Sequence, residues 1–512
     1  MSGAILQVDR SRVPSQGNKA LYAENWLSIA GLAILFFGSR GIAMRYGFHY
    51  LVTQHPASWQ LLDLDILRHH LWRGLVHLHG QPPLFNALVG MCLKFGGSRY
   101  GSLLLAIQFV LSFLSFVSVF IILVKLRVRL GIAYLVSAAL LLNPTVIAFD
   151  FDGLYTALVS SLHCLIALAI VSYVQRRSSV SIACICFLMG CLTLLRSSYQ
   201  WPWVILLFGI LFFYIPSNRR QIVTAGAICV GISLLWPAKN YLLFRHFASS
   251  TWGPYSLAKH WNAERDRAII DGFVAQGQIQ TFRNDGSDLP TELRRHWPAA
   301  PTGFPELDAV TKSVGGDPNW NSLSMLRMHD AELKDDVFLF KHAPKVYAVA
   351  VMHGIVQYFE PASDYLMFRG GESESQYKKL AGVDVWANRF CCNVFAPKNH
   401  SDSASNVEGG HSGSDLLAKL CIGAVLGELV ILAFLLTLQK ESFWRKDQDR
   451  KLLCLLLSST VNYAFFLVAL VEVNENMRYR FETQSLVAVI AVVFLQQLWD
   501  GRKAKPMIEN VA

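Results

Sequence analysis

The stretch LLLAIQFVLSFLSFVSVFIILV, residues 103–124, decides the class of this protein. It contains no charged side chain, and its length matches the roughly 20 apolar residues with which a helix crosses a bilayer core. Similar runs recur along the 512 residues, of which 53% are hydrophobic and only 16% are charged, against about 25% in soluble domains. The sequence therefore predicts an all-α polytopic membrane protein.

Ten apolar stretches are predicted to be membrane-spanning helices. They are Trp26–Met44, Leu103–Val124, Ile132–Ala148, Leu154–Val174, Val180–Leu195, Trp201–Ile215, Ile222–Phe244, Leu416–Leu438, Leu452–Val471 and Phe481–Trp499. Basic residues are concentrated before the first span and after every even-numbered one, for example at Arg176, Arg177, Arg219 and Arg220. The positive-inside rule places these connections and both termini in the cytoplasm. The same distribution accounts for the net charge of +10, so nucleic acid is not expected as a partner.

This orientation divides the chain into three parts. Residues 1–244 form an N-terminal transmembrane module, which includes a first outer segment at residues 45–102. Residues 245–414 form a second outer segment that is too long for a plain connection, which indicates a function. Residues 415–512 hold the C-terminal helices. The apolar stretch Pro83–Gly97 has only about 15 residues, and we expect an interfacial or re-entrant helix at the outer surface.

The first outer segment carries one apolar stripe, because leucines recur at spacings of three and four. They are Leu64, Leu67, Leu71, Leu75 and Leu78. This pattern predicts one amphipathic helix that ends at Pro82 and Pro83, where prolines force a break. Its polar side carries Asp63, Asp65, Arg68, His69, His70 and Arg73. The alternative to a catalytic role is a solvated helix face with an Asp65–His69 ion pair.

Two further polar clusters are predicted on the same face of the membrane. Asp150 and Asp152 follow the third span, and Glu472, Glu475, Arg478 and Arg480 lie between the last two spans. Carboxylates and arginines on one face suit acid–base chemistry on a substrate that carries phosphate. The alternatives are solvated carboxylates and arginines that contact lipid headgroups.

Histidines are concentrated in the first outer segment, at His49, His55, His69, His70, His77 and His79. Together with Asp63 they offer ligands for a divalent metal. No spacing among them is specific for a metal site, so hydrogen bonding at the interface is the alternative.

Five stretches carry a resemblance to a known family, in the family's order along the chain. They are Leu61-Leu62-Asp63 with His79-Gly80-Gln81-Pro82-Pro83-Leu84-Phe85-Asn86; Asn143-Pro144 with Asp150 to Thr156; Leu195-Arg196-Ser197-Ser198-Tyr199; Lys239-Asn240-Tyr241 with Ser249-Ser250-Thr251-Trp252-Gly253; and Glu475-Asn476-Met477-Arg478-Tyr479-Arg480. In these stretches the chain resembles the dolichyl-phosphate-mannose-protein mannosyltransferase-like families of the GT-C superfamily, and above all their bacterial family-39-type members.

The resemblance implies a bundle of about ten transmembrane helices and a role for particular residues. It implies Asp63 as catalytic base, with Asp65 as competitor because this chain has Asp63-Leu64-Asp65 where many relatives have Asp-Glu. A second acidic residue is Asp150 or Asp152. The implied contacts to the donor phosphate are made by Arg478, Arg480 and Arg196. The implied loops around donor and acceptor include His79, Gln81 and Glu475.

The implied activity is that of an inverting glycosyltransferase in a bacterial inner membrane, serving the cell envelope. It moves a sugar from a polyprenyl phosphate to a glycan, lipid or protein acceptor on the extracytoplasmic face, with no certain cofactor and a divalent metal left open. The alternative is a transporter or flippase of a lipid-linked sugar or another solute. Transporters place charge near the middle of the bilayer, and we expect little of it in the predicted spans apart from Lys419 and Glu428.

Overall fold

A computed structural model describes residues 17–261, 266–282, 286–359, 362 and 448–503. Within these residues the regular elements are helices, apart from one isolated pairing of Thr311 with Pro318. The α-helices are α1 (Gly17–Arg45), α2 (Leu64–His69), α3 (Leu71–His77), α4 (Pro83–Gly96), α5 (Tyr100–Lys125), α6 (Leu130–Leu141), α7 (Pro144–Phe151), α8 (Thr156–Arg176), α9 (Ser179–Leu195), α10 (Trp201–Tyr214), α11 (Arg219–Phe244), α12 (Gly253–Ala258), α13 (Arg267–Ala275), α14 (Leu289–His296), α15 (Pro305–Asp308), α16 (Leu323–His342), α17 (Pro344–Tyr358), α18 (Gln448–Val471) and α19 (Asn476–Lys503).

Six helical stretches of the described chain are long and apolar enough to cross a bilayer. They are Asn25–Arg45, Pro83–Lys125, Thr156–Arg176, Pro216–Phe244, Gln448–Val471 and Asn476–Asp500. The fold is therefore that of an all-α multi-pass membrane protein. Helices α9 and α10 are apolar but have only 17 and 14 residues. The predicted span Leu416–Leu438, with Lys419 and Glu428, lies outside the described residues, and ten crossings stay a prediction.

The third predicted span is not one straight helix. Helices α6 and α7 meet at a bend of 52° around Leu142 and Asn143. The side chain of Asn143 caps α7 by accepting a hydrogen bond from the Thr145 amide at 2.9 Å, and Pro144 has no amide hydrogen to continue α6. The capping asparagine and the proline together stop one helix and start the next.

The amphipathic helix of the first outer segment is also broken, at His70, into α2 and α3. A side-chain carbon placed on Gly74 would lie 2.7 Å from Cγ2 of Ile66, so only glycine allows α3 to approach α2 this closely. The apolar stripe itself is confirmed, since Leu67, Leu71 and Leu75 are buried. Continuity was the wrong part of the prediction, because folding back buries the stripe from both short helices.

Asn86 fixes the start of α2 against α4. Its side-chain oxygen accepts from the Leu62 amide at 2.8 Å, and its side-chain nitrogen donates to the Gln60 carbonyl at 3.0 Å. Asn86 is fully buried, where a polar side chain needs such partners. The His79–Asn86 stretch thereby holds residue 63 at a defined place on the bundle.

Candidate functional site

Two buried arginines and two tyrosines meet where α8, α9 and α19 come together. Nη1 of Arg196 donates to Oη of Tyr155 at 2.6 Å, and its guanidinium carbon lies 4.2 Å from the centre of the Tyr479 ring. The guanidinium carbon of Arg478 lies 5.8 Å from the Tyr155 ring centre. We call Arg196, Arg478, Tyr155 and Tyr479 the arginine cluster. Guanidinium groups that lie over aromatic rings are limited in their orientations, and a guanidinium can bind a flat or tetrahedral anion.

Each arginine of the cluster has an acidic partner. Arg196 lies 3.1 Å from a carboxylate oxygen of Glu482, and Arg478 lies 3.1 Å from one of Glu475. Burial raises the pKa of Glu475, but Arg478, Lys259 and Arg196 outweigh it, and the pKa is lowered. Because desolvation largely cancels the attraction of a buried ion pair, such pairs are weak evidence for a purely stabilising role.

Asp152 is the unusual carboxylate of this region. It is completely buried, and neither of its carboxylate oxygens has a hydrogen-bond partner among the residues that the structure describes. Burial raises its pKa to about 7, against the opposing attraction of Arg478 and with the help of Glu475. A buried group that titrates near neutral pH, beside an arginine cluster, is typical of a functional site.

The turn after Asp152 is held by the first outer segment. Nε2 of His55 lies 2.8 Å from the Gly153 carbonyl oxygen, so the ring donates there. Gly153 has a φ of +77°, and a side-chain carbon on it would lie 2.7 Å from the Leu51 carbonyl oxygen. No other residue fits this turn without strain, because both the backbone angle and the space require glycine.

Asp150 has a different environment from Asp152. Its Oδ2 accepts from Nε of Arg40 at 3.0 Å and from Nη2 at 2.7 Å, and both side chains are 1% exposed. A third nitrogen of Arg40 donates to the Leu141 carbonyl at 2.7 Å, beside the bend between α6 and α7. The sequence left Asp150 and Asp152 as equal candidates, and these contacts favour a structural role for Asp150.

Asp150→Asn is expected to destabilise the protein by about 3–5 kcal/mol, because it leaves the Arg40 charge buried without a counter-charge. The measurement is the thermal unfolding midpoint of the purified protein in detergent. Exchanging both partners, as Arg40→Met with Asp150→Leu, should recover most of the loss, since paired apolar replacements are often neutral. An Asp150→Asn protein as stable as wild type would contradict this role.

Asp63 and Asp65 lie at the start of α2. Oδ1 of Asp63 accepts from the Asp65 amide at 3.1 Å, which makes Asp63 the N-cap, and its Oδ2 accepts from the Ser313 amide. Asp65 is exposed and pairs with His69 at 2.9 Å. The predicted Asp65–His69 ion pair on the solvated face is thus confirmed. Asp63, in contrast to Asp65, contacts the second outer segment, through Ser313.

His79 joins the two outer segments. Its Nδ1 lies 2.9 Å from the Thr251 hydroxyl and its Nε2 lies 3.0 Å from the Asn321 carbonyl oxygen. Since a carbonyl only accepts, Nε2 carries the proton and Nδ1 accepts from threonine. Burial, with His329 and Lys239 nearby, lowers the pKa of His79 to about 3, so the ring is neutral. The backbone oxygen of the neighbouring Gln81 accepts from Trp236 at 3.2 Å.

Further contacts attach the second outer segment to the first. Buried Glu306 accepts from Nε of Arg73 at 2.9 Å, and Nδ1 of His77 lies 2.8 Å from the same Glu306 oxygen. Lys312 donates to the Pro56 carbonyl at 2.9 Å, and burial lowers its pKa to about 8. A chain of contacts thus runs from Asp63 through residues 312–313 and 55–58 to the turn beside Asp152.

The second outer segment also reaches the loop that precedes α19. Nζ of Lys259 lies 2.9 Å from Oε1 of Glu472, and the other carboxylate oxygen of Glu472 accepts from the Ser256 hydroxyl at 3.3 Å. Burial disfavours the charge on Lys259, but Glu472 and Glu475 outweigh this and raise its pKa. Ser256 of α12 and Lys259, which directly follows this helix, therefore border the acidic side of the arginine cluster.

The predicted site residues thus fall into two places. Asp152, Glu475, Arg478 and Arg196 are brought together, whereas Asp63, Asp65, His79 and Gln81 lie in the contact between the outer segments. Arg480 is half-buried and donates to the Phe359 carbonyl at 3.2 Å. Within the described residues, no three histidine, cysteine or acidic side chains are grouped so that they could hold a metal ion.

Sequence reasoning missed Arg40, Tyr155 and Glu482. The predicted spans seemed almost free of charge, yet Arg40, Lys239 and Glu482 all lie within apolar helices, which corrects that statement. A charge inside an apolar run is itself a signal, because its burial in a membrane requires a partner. Tyr155 lies in the stretch Asp150 to Thr156 that carries the resemblance, but nothing local singled it out, because its contacts come from helices distant in sequence.

No protein-family model matches this chain, and no curated protein is similar enough to count as a match. The resemblance to GT-C enzymes therefore rests on the five sequence stretches alone.

Proposed function

We propose that this protein is a glycosyltransferase that moves a sugar from a polyprenyl phosphate to an acceptor at the extracytoplasmic face. The observation that carries the proposal is the buried arginine cluster beside Asp152, at one end of a membrane bundle. Two fixed guanidinium groups suit a phosphate, and the apolar helices around them suit its polyprenyl chain. The five sequence stretches support the choice of a sugar donor.

The proposed reaction is a single displacement at the anomeric carbon. The acceptor oxygen or nitrogen forms a bond to this carbon while the bond to the phosphate oxygen breaks, and the polyprenyl phosphate leaves with the electron pair. Asp63 takes the acceptor proton, and Arg478 stabilises the leaving phosphate, whose charge grows in the transition state. The reaction therefore requires donor and acceptor to meet between Asp63 and the arginine cluster. The second outer segment, which contacts Asp63 through Ser313, holds the acceptor.

Asp152 has a separate task in this proposal. With a pKa of about 7 it is partly protonated at neutral pH, and its neutral form places no negative charge beside Arg478 that would repel the donor phosphate. The neutral carboxyl can also donate a hydrogen bond to a phosphate oxygen. Asp63 and Asp152 thus have different roles in this proposal because their environments differ.

The assay uses purified protein in lipid nanodiscs with a panel of synthetic polyprenyl-phosphate hexoses and pentoses, and a membrane extract as acceptor. Release of free polyprenyl phosphate, with sugar appearing in the acceptor fraction, is the expected result. A carrier would instead move the lipid-linked sugar across a liposome membrane without cleaving it. Sugar movement without cleavage for every donor would reject the proposal.

The donor KM is expected to rise about tenfold from pH 6 to pH 8, because ionised Asp152 repels the donor phosphate. The sign follows from the pKa of about 7: the group is neutral below it and charged above it. Asp152→Asn imitates the neutral form, so this variant should keep a low KM with no such pH dependence. If the variant instead lost turnover by more than about a hundredfold, Asp152 would be the proton acceptor.

A further inference from the structure

A groove of about 650 Å³ opens between α9 and α11, at the end of the bundle opposite the arginine cluster. Its lining residues include Ile182 near the start of α9, whereas Arg196 follows the end of that helix. At 1.5 Å per helical residue the two places are roughly 20 Å apart. The groove has the size of an ordinary ligand pocket but takes no part in the proposed reaction.

The groove is polar at one end and apolar at the other. Ser217, Asn218, Arg220 and Gln221 line its mouth, where α11 begins. These polar side chains are ordered by hydrogen bonds, since the side-chain nitrogen of Asn218 donates to Oε1 of Gln221 at 3.2 Å and Nε2 of Gln221 donates to the Ser179 hydroxyl at 3.1 Å. Further in, the lining is mainly apolar, with Thr224 as its one hydroxyl; it is formed by Ile182, Ala183, Cys186, Thr224, Ala225 and Ile228.

Two neighbouring arginines at the start of α11 differ in what they contact, and only Arg220 lines the groove. Nε of Arg219 donates to the Phe212 carbonyl at 3.4 Å, and its guanidinium carbon lies 4.8 Å from that residue's ring centre. Arg220 is exposed, lines the groove, and makes no hydrogen bond or ion pair with any residue in the described part of the chain. The groove thus offers one uncommitted positive charge, next to the amide groups of the first turn of α11, which also attract anions.

We propose that this groove binds one anionic glycerophospholipid. Its phosphate would lie against Arg220 and the first turn of α11, and an acyl chain would run along Ile182, Ala225 and Ile228. The change from polar to apolar along the groove parallels the change from headgroup to hydrocarbon in a membrane. Basic residues also gather at this end of the bundle, where anionic lipid is attracted. This inference does not depend on the proposed sugar transfer.

Native mass spectrometry of the full chain in detergent tests the site, with dioleoyl phosphatidylglycerol and dioleoyl phosphatidylcholine as probes. Wild type should retain one phosphatidylglycerol in preference to phosphatidylcholine. Arg220→Gln should raise the Kd for phosphatidylglycerol about fivefold, the amount expected for one basic residue at a lipid surface. Arg219→Gln is the matched control, because it removes the same charge from the neighbouring residue. It should change the Kd for phosphatidylglycerol by less than about twofold.

A second variant examines the apolar end separately. Ala183 is exposed and lines the groove, so Ala183→Trp fills it without entering the helix core and should also weaken lipid retention. Equal losses in Arg219→Gln and Arg220→Gln would mean diffuse surface attraction and would overturn the site. Displacement of the lipid by millimolar inorganic phosphate, with no effect of Ala183→Trp, would mean a simple anion site and would also overturn it.

Discussion

Arg478→Ala is expected to lower sugar transfer by about 10²–10³-fold, the loss seen when one fixed donor to a developing negative charge is removed. The charge on the polyprenyl phosphate increases as its bond to the sugar breaks. The loss should therefore appear in kcat as well as in the donor KM. Arg478→Lys keeps the charge but loses the two-pronged guanidinium, so its activity should be intermediate.

Two controls separate this role from simple anchoring in the membrane. Arg99→Ala removes the same charge from an exposed position in the connection between α4 and α5, and it should keep activity within about twofold. Glu475, the partner of Arg478, retains 12% exposure of its side chain, so solvent can reach it when the arginine is gone. Thermal unfolding of each variant checks that the protein is folded. A folded Arg478→Ala protein with wild-type kcat and KM would leave Arg478 as a structural residue.

The parts of the fold that could be predicted from sequence are those set by local composition. Apolar runs such as Leu103–Val124 predict helices because a hydrocarbon core leaves a spanning chain no other way to satisfy its backbone. The leucine stripe of the first outer segment also predicted which side chains are buried. The break at His70 was not predicted, because it depends on how closely Gly74 can approach Ile66 in three dimensions.

The candidate site was predictable in part of its membership but not in its pairing: Arg196, Arg478 and Asp152 were expected, whereas Tyr155 and Glu482 were not. Asp152 and Arg478 were both expected on one face, and the structure brings them near each other. The Arg40–Asp150 pair joins residues 110 positions apart, so nothing local distinguished Asp150 from Asp152. The arrangement of α1, α7 and α19 decides that Asp150 is hydrogen-bonded to Arg40, whereas the carboxylate oxygens of Asp152 have no hydrogen-bond partner among the described residues. Such an arrangement is a property of packing, and a single sequence does not reveal it.

Asp63→Asn is expected to lower turnover by about 10²–10⁴-fold, because it removes the proposed proton acceptor. Asparagine is an equally good N-cap, so its one side-chain oxygen can keep the bond from the Asp65 amide and α2 should survive. The amide group that replaces the second carboxylate oxygen only donates, so the hydrogen bond from the Ser313 amide should be lost. The thermal unfolding midpoint should therefore fall only slightly, by the worth of one hydrogen bond or about 1 kcal/mol, and the donor KM should stay close to wild type while kcat carries the large loss.

Asp65→Asn is the matched control for this change, two residues away on the same short helix. It removes an exposed ion pair with His69, whose worth is about 0–1 kcal/mol, and it leaves Asp63 in place. Its turnover should stay within about threefold of wild type if Asp63 is the base. If Asp63→Asn keeps more than about a tenth of wild-type turnover, the loss is too small for a missing general base. In that case the loss in Asp65→Asn and Asp152→Asn would show which other carboxylate takes the proton, because only one of the three should behave as the acceptor.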